Sequence, residues 1–364
     1  MTNKKPINYA CLACDTLIAK FEDPMTLPPA NKFHYHQGVF LAGMEQAYLL
    51  TKEKKYNDYI KAWVDGIVDE DGVITRYDEK TLDDFRSGTL LFRLFEETKE
   101  KRYEKPLHTI YNHLVTFPKN REGGYWHKFY DEHQMWLDGL YMAGPFLCMY
   151  GALFGKEECF DEAVKQATLM WKHNRDEKTG LLYHAWDCEK KQPWANKETG
   201  CSEEFWGRAM GWYITALCDI LDYLPKDYEK REILIEYLKK FSEALTNFQD
   251  KETGLWYQVV DKGDVAGNWT ELSCSSLFTY GLSKAVRLGY IDEKYKENAL
   301  RGYRGVINEI TVNGDTLILP KVCIGTGIGD YEFYINRDTV VNDLHGVGAF
   351  ELMCCEIEKL IEEE

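Results

Sequence analysis

Gln134-Met135-Trp136-Leu137-Asp138-Gly139-Leu140-Tyr141-Met142-Ala143-Gly144-Pro145-Phe146 opens an apolar run that continues to residue 154 and carries a single carboxylate. A helix that is apolar nearly all round is covered by protein on every side. Residues 134–154 therefore read as a buried inner helix. Asp138, near its start, has to be hydrogen-bonded, protonated or put to use, because an unpartnered buried charge is expensive.

Five further segments share this character, near 37–51, 84–97, 203–224, 271–288 and 343–361. Small residues at Gly88, Gly139, Gly144, Gly211, Gly281 and Gly348 would let such helices approach closely. Six amphipathic segments rich in Lys and Glu alternate with them, near 8–21, 53–67, 100–117, 157–173, 227–248 and 292–309. Their apolar residues recur at three- and four-residue spacing, the period of a half-buried helix. A glycine turn recurs as well, at Gly72, Gly124, Gly180 and Gly254, each followed by apolar residues and a Tyr.

Six outer and six inner helices in strict alternation predict an all-α fold, an (α/α)6 barrel or six-hairpin toroid, as one catalytic domain across residues 1–364. Asn313-Gly314 between β-branched runs adds a minor β-hairpin insertion near 310–323. In such a barrel the inner helices all run the same way, so their N-termini gather at one mouth. His36, Asp83, Asp84, Trp136, Asp138, Trp206, Arg208, Trp212, Glu271, Asp343 and His345 should meet there, with Lys128 and His184 supplied by connecting loops. Aromatic faces, carboxylates and one Arg suit a carbohydrate, and helix N-termini add affinity for an anion.

Composition narrows the function classes. The net charge of −16 disfavours nucleic acid, whose phosphates require Lys and Arg. The 10 Trp, 24 Tyr and 17 Phe supply a large core. Eleven cysteines, an odd number, many inside apolar runs, read as reduced buried thiols rather than a disulfide framework. Residues 1–6 are polar and basic with no apolar stretch after them, so neither a secretion signal nor a membrane partner is expected, and a cytoplasmic location is. No metal or cofactor is expected either. Cys11-x-x-Cys14 lacks a second pair, His34-x-His36 is too thin a signal, and Gly325-Thr326-Gly327-Ile328-Gly329 lacks the Lys and helix of a phosphate loop.

Each candidate has a plainer explanation beside the chemical one. Asp138 would complement a helix dipole in the first turn. Asp83 and Asp84 would serve as N-caps, and Glu203 with Glu204 as capping acids after Ser202. Trp206, Arg208 and Trp212 would be core aromatics with a snorkelling Arg, although an Arg in so apolar a run asks for an anion. His184 would be a hydrogen-bonded loop histidine.

Taken in order and spacing, several motifs resemble glycoside hydrolase family 105, the unsaturated rhamnogalacturonyl hydrolases. They are Leu82-Asp83, Gly124-Tyr125-Trp126-His127-Lys128, the Gln134 to Met142 run, Tyr183-His184-Ala185-Trp186-Asp187, Trp206-Gly207-Arg208-Ala209-Met210-Gly211-Trp212 and Asn342-Asp343-x-x-Gly346-Val347-Gly348. The resemblance runs from about residue 30 to the C-terminus. It implies a small oligosaccharide partner, a lyase product with a 4,5-unsaturated uronic acid at its non-reducing end. It implies Asp138 as general acid/base with Asp83 assisting, and His127, Lys128, Trp136, His184, Trp206, Arg208 and Trp212 around the sugar. Residues 261–270 match nothing in the pattern and are expected to border the leaving sugar.

The chemistry expected of such a site is hydration of a vinyl ether, which needs a protonated Asp138. A nearby Asp83 and the desolvating Trp136 and Trp212 are expected to push its pKa upward. Two rivals remain open: another sugar enzyme on the same scaffold, such as an epimerase or a glucuronyl hydrolase of glycosaminoglycan or ulvan disaccharides, and a glycan-binding barrel without catalysis. Scattered histidines speak against the epimerase, and the presence of both Asp83 and Asp138 against the second.

Overall fold

The computed structural model describes residues 4–362. Six inner segments form a closed ring: α2 (Tyr35–Thr51), a 3-10 turn (Leu82–Thr89) continuing into α4 (Leu90–Thr98), α6 (Asp138–Phe154), α8 (Gly207–Tyr223), α10 (Leu272–Arg287) and α13 (Leu344–Glu362). Each packs on the next, and α13 returns to α2. Outside them lie α1 (Pro6–Lys20), α3 (Lys54–Ile67), α5 (Lys101–Thr116), α7 (Glu157–Asn174), α9 (Arg231–Asn247) and α11 (Lys296–Glu309). The expected all-α (α/α)6 barrel is therefore present, and the outermost residues of the expected span lie outside the described residues.

Burial explains the two helix types. The outer helix α3 buries Tyr56, Tyr59, Ile60, Trp63, Val64 and Ile67, a single stripe at helical period. The inner helix α6 buries every residue from Gly139 to Cys148, then Tyr150 and Gly151. Glycines set how closely inner helices approach. A methyl group on Gly144 would fall 2.8 Å from Ile220 Cδ1 of α8, and one on Gly211 would fall 2.9 Å from Leu277 of α10.

The repeated glycine turn is real but shifted at one site. Gly72, Gly180 and Gly254 share a positive φ of 75°, whereas in the second copy the left-handed residue is Gly123 rather than Gly124. In each copy an acid or amide four residues or fewer earlier (Asp69, Asn120, Asp176, Asp250) accepts backbone N–H groups of the turn.

Two stretches expected to be helical are not. Residues 134–136 form strand β1 (Gln134–Trp136), paired antiparallel with β2 (Ala185–Asp187), so Trp136 faces Ala185. The partner is some fifty residues away in the chain, beyond the reach of any local pattern. Residues 82–89 wind as a 3-10 turn in which Ser87 Oγ donates to the His34 carbonyl at 2.7 Å and Thr89 Oγ1 to that of Arg86 at 2.9 Å.

The expected hairpin is β3 (Thr311–Asn313) with β4 (Thr316–Ile318), turning through Gly314. Beyond it the sequence reading missed β5 (Val322–Cys323), the short α12 (Tyr331–Ile335) and β6 (Thr339–Val340), which together reach over the ring. No helix among the described residues is long and apolar enough to cross a membrane.

A methyl group on Gly348 would meet the Val39 carbonyl oxygen at 2.4 Å, a backbone atom that cannot swing aside. Gly348→Ala is expected to destabilise the ring by about 2–3 kcal/mol, whereas Gly327→Ala, with open space around it, should change the melting temperature little.

Candidate active site

The inner helices do point the same way, and their first residues meet. Asp138 opens α6 with its side chain 13% exposed. Its Oδ2 lies 3.2 Å from Nε2 of His184, a fully buried loop histidine just before β2. The two atoms are close but poorly aligned, and neither has another hydrogen-bond partner. On its far side His184 Nδ1 meets the Tyr334 hydroxyl at 2.8 Å, and that hydroxyl accepts the Gly329 N–H at 3.4 Å. A proton on His184 Nε2 satisfies this chain: Tyr334 donates to Nδ1, and the imidazole turns its N–H toward Asp138.

Asp83 is held quite differently. Its Oδ1 is 3.3 Å from His127 Nε2 and its Oδ2 3.2 Å from Lys128 Nζ. Leu82 N–H donates to the His127 carbonyl, which fixes the two loops against each other. The His127 ring stacks on Trp136 with centroids 4.4 Å apart, and Trp136 meets His184 edge-on at 5.4 Å. Asp83 and Asp138 are therefore joined through three stacked or crossed rings at the mouth of the barrel.

Electrostatics separates the acids. Burial raises both carboxyls, but the charge and hydrogen bond of His127, followed by Lys128, hold Asp83 far below the usual carboxylate range. Lys128 is desolvated, yet Asp83 pushes it up to about 12. Burial of Asp138 is likewise outweighed, by the His184 imidazole and then by the charge of His127, so its pKa also falls. The upward shift expected for Asp138 is thus overturned in the free protein. Burial in turn lowers the His184 pKa despite Asp138, leaving a neutral imidazole beside an ionised acid.

Arg208 is buried in the first turn of α8 and lies 4.5 Å over the Trp206 ring. Nη1 donates to the Cys323 carbonyl and Nη2 to that of Ile324, both at 2.6 Å. Glu271 takes the N–H of the same Cys323 at 3.0 Å. Arg208 and Glu271 thus clamp the start of the segment that covers the mouth. Trp206 stacks on Tyr334 at 5.8 Å and leaves its Nε1 without a partner. Trp212, one turn beyond Arg208, is fully buried and stacks on Tyr141 of α6 at 4.9 Å, inside the barrel wall rather than among these rings.

Asp138 does sit in the first turn of α6, as the dipole reading expects, but the capping reading fails at the other acids. Thr81, not Asp83 or Asp84, caps the 3-10 turn by accepting the Asp83 N–H. Glu204 is not a cap but is paired with Lys262 at 2.5 Å. That pair ties the 261–270 segment to the mouth, where Trp269 Nε1 also donates to the Ile335 carbonyl.

Sequence reasoning missed Tyr334 and Tyr35. Tyr334 sits in the short α12, which the sequence reading did not find. Tyr35 feels the charges of Arg208, Asp83, Asp343 and Asp138 together. A cleft of about 490 Å³ opens beside Asp83, lined among others by His34, Arg76, Asp84, Lys128 and the 75%-exposed Tyr130.

Asp84 accepts the Asp78 N–H at 2.7 Å, and burial with the neighbouring Asp83 charge lifts its carboxyl to about 8. An acid whose folded pKa is raised contributes stability below its unfolded pKa and loses it as pH rises toward the folded value. The melting temperature of Asp84→Asn, relative to the parent, should therefore climb between pH 4 and pH 8, and a flat difference would contradict the shift.

Comparison with known proteins places this geometry. The profile of Glycosyl Hydrolase Family 88 matches residues 9–361. A solved glycoside hydrolase of family 105 from C. acetobutylicum ATCC 824 superposes with a TM-score of 0.92 at 40% identity, covering 96% of this chain and 99% of that one. The unsaturated rhamnogalacturonyl hydrolase YesR of Bacillus subtilis is 26% identical over 279 residues, 75% of each chain. An unsaturated 3S-rhamnoglycuronyl hydrolase of Formosa agariphila is 27% identical over 176 residues, 46% of this chain and 44% of that protein. A profile spanning nearly the whole chain and a family 105 structure matched end to end make this protein a glycoside hydrolase: the chain belongs to Glycosyl Hydrolase Family 88, with family 105 as its structural kin.

Proposed function

We propose that the protein removes a 4,5-unsaturated uronic acid from the non-reducing end of a lyase-derived oligosaccharide, with Asp138 as general acid and base. The observation that carries this reading is the contrast between two buried acids at one mouth. Asp83 is held by two partners, His127 and Lys128, whereas Asp138 meets one imidazole, His184, at 3.2 Å in poor alignment. A fixed anion positions charge, and a carboxylate so loosely held can move a proton.

In the reaction, protonated Asp138 delivers its proton to C4 of the enol ether, and positive charge develops at C5, stabilised by the ring oxygen. Water then bonds to C5 and gives its proton back to Asp138. The hemiketal opens to a ketone at C5, and the hemiacetal left at C1 collapses to an aldehyde with release of the partner sugar. No second carboxylate has to attack the anomeric carbon, unlike hydrolysis of an ordinary glycoside. Trp136 offers a ring face to the sugar, and Trp206, buried between Tyr334 and Arg208, backs the site. Lys128 and the unused N–H groups of Arg208 offer charge to the uronate carboxylate. Trp212 acts from behind, through Tyr141.

The lowered pKa of free Asp138 fits this scheme once substrate is included. A bound uronate adds negative charge and expels water, and both changes raise a neighbouring carboxyl. The acid is thus charged by the substrate it serves. Rhamnose is the sugar we assign next to the uronate, in keeping with pectin-derived rhamnogalacturonan fragments. A cytoplasmic, single-domain enzyme without a cofactor completes the reading.

The test follows the ultraviolet absorbance of the conjugated enol ether, which only hydration removes. Unsaturated galacturonyl-rhamnose should lose it fastest in a panel that includes unsaturated glucuronyl disaccharides of glycosaminoglycan and ulvan type. An epimerase or a binding protein would leave it intact. Asp138→Asn should lower kcat by about 10³-fold with an unchanged melting temperature, and retained turnover would remove Asp138 from its role. Asp83→Asn should be severely impaired as well, with a displaced pH optimum.

The pH profiles carry a separate expectation. Because kcat/KM reports the free enzyme and kcat the complex, kcat/KM should fall with rising pH through a range in which kcat stays level. Coincident basic limbs would show that substrate does not raise the Asp138 pKa.

A further inference from the structure

A second cluster lies where α2 meets α13, and the reaction above makes no use of it. His345, fully buried, places Nε2 3.1 Å from the Cys323 carbonyl oxygen. A carbonyl only accepts, so Nε2 carries the hydrogen. The other ring nitrogen, Nδ1, faces Asp343 Oδ1 2.9 Å away. His345 Nδ1 is buried and has no hydrogen-bond partner.

His36 repeats the pattern. Its Nδ1 is 3.0 Å from His34 Nδ1, and that His34 atom already caps α2 by accepting the His36 backbone N–H. His34 Nδ1 is thus the acceptor and His36 Nδ1 the donor. The lone pair left on His36 Nε2 faces the same Asp343 Oδ1 at 3.5 Å. Two imidazole nitrogens and a carboxylate oxygen lie within 4.8 Å of one another.

Such a group needs a positive centre between its members, either a shared proton or a metal ion. A tetrahedral divalent ion with ligands at about 2.0–2.1 Å spaces those ligands roughly 3.3 Å apart, close to the two separations found here. Two imidazoles with one carboxylate suit zinc and its first-row neighbours, and they leave one coordination position open. We propose that His36, Asp343 and His345 bind one divalent first-row transition-metal ion.

The ion would brace the mouth rather than touch the reacting carbons. His345 bonds the Cys323 carbonyl, which also receives Arg208 Nη1, while the Cys323 N–H is held by Glu271. Fixing His345 and Asp343 therefore fixes the residue at which α8, α10 and α13 are tied together. The proposal stands on this geometry alone and does not depend on the substrate.

The full chain, stripped with a chelator, is titrated with zinc by calorimetry and with cobalt by visible absorption. One zinc per chain should bind and raise the melting temperature. Cobalt should give the intense visible band of a four-coordinate site without the near-ultraviolet band of thiolate ligation, which separates this site from the eleven free cysteines. His36→Gln, at a partly exposed position, should weaken zinc binding by at least roughly 10-fold, and Asp343→Asn should do the same. Absence of stoichiometric binding to the parent would mean that protons neutralise the cluster and would overturn the proposal. So would a thiolate band, or binding undiminished in His36→Gln; that variant and the cobalt spectrum of the parent decide the matter even if Asp343→Asn does not fold.

Discussion

A ring of helices covered on both faces has no interior place for charge, so ionic groups must leave it at its ends. That constraint organises the chemistry here. At the N-terminal mouth each inner helix contributes one or two polar residues, and helix dipoles add partial positive charge at the same point. At the opposite end Lys284 is buried against Asp219, Asp222 and Tyr280, a self-satisfied cluster with every partner in place. The mouth differs because it is not self-satisfied. Asp138 Oδ2, His184 Nε2, His127 Nδ1, Trp206 Nε1 and His345 Nδ1 are all buried without hydrogen-bond partners. Unpaired polar atoms are costly, and a ligand at the mouth would give several of these a partner at once.

Pairing, rather than burial, gives the two mouth acids different characters. Both are desolvated, and burial by itself would raise them alike. Asp83 meets a Lys and a His with one oxygen each, whereas Asp138 meets a single neutral imidazole in poor alignment. In the reaction we propose, Asp83 is the permanent anion and Asp138 the proton carrier, within the same set of rings. The Asp138 pKa is lowered in the free protein, and on our proposal an anionic sugar would raise it, coupling protonation to binding.

The cover over the mouth is a tertiary construction. Segment 322–340 has little regular structure, and it is anchored by Arg208 on two carbonyls, by Glu271 on one N–H and by a two-residue strand pair. It brings Tyr334 to His184 and sets His345 against Cys323. The glycine-rich run at 325–329, which offers nothing as a phosphate loop, is a bend in this cover, with Gly325 beside the Tyr35 hydroxyl.

Much of this was written in the sequence. Alternation of stripe-like and all-round apolar segments dictated twelve helices in two rings, because a helix must be apolar wherever protein covers it. Parallel inner helices then dictated which residues share the mouth, and Asp83, Asp138, His184 and Arg208 do meet there. Local pattern could not supply long-range partners: the strand pairing of residues 134–136 with 185–187, the Lys262 partner of Glu204, or Tyr334 behind His184. Nor could it give the Asp138 pKa, whose sign is settled by an imidazole 46 residues away rather than by the flanking tryptophans. His36, Asp343 and His345 were each legible as mouth residues, yet their convergence on one point belongs to the closing of the ring, where the first inner helix meets the last. Periodicity fixes what a helix buries, and only packing fixes what it faces.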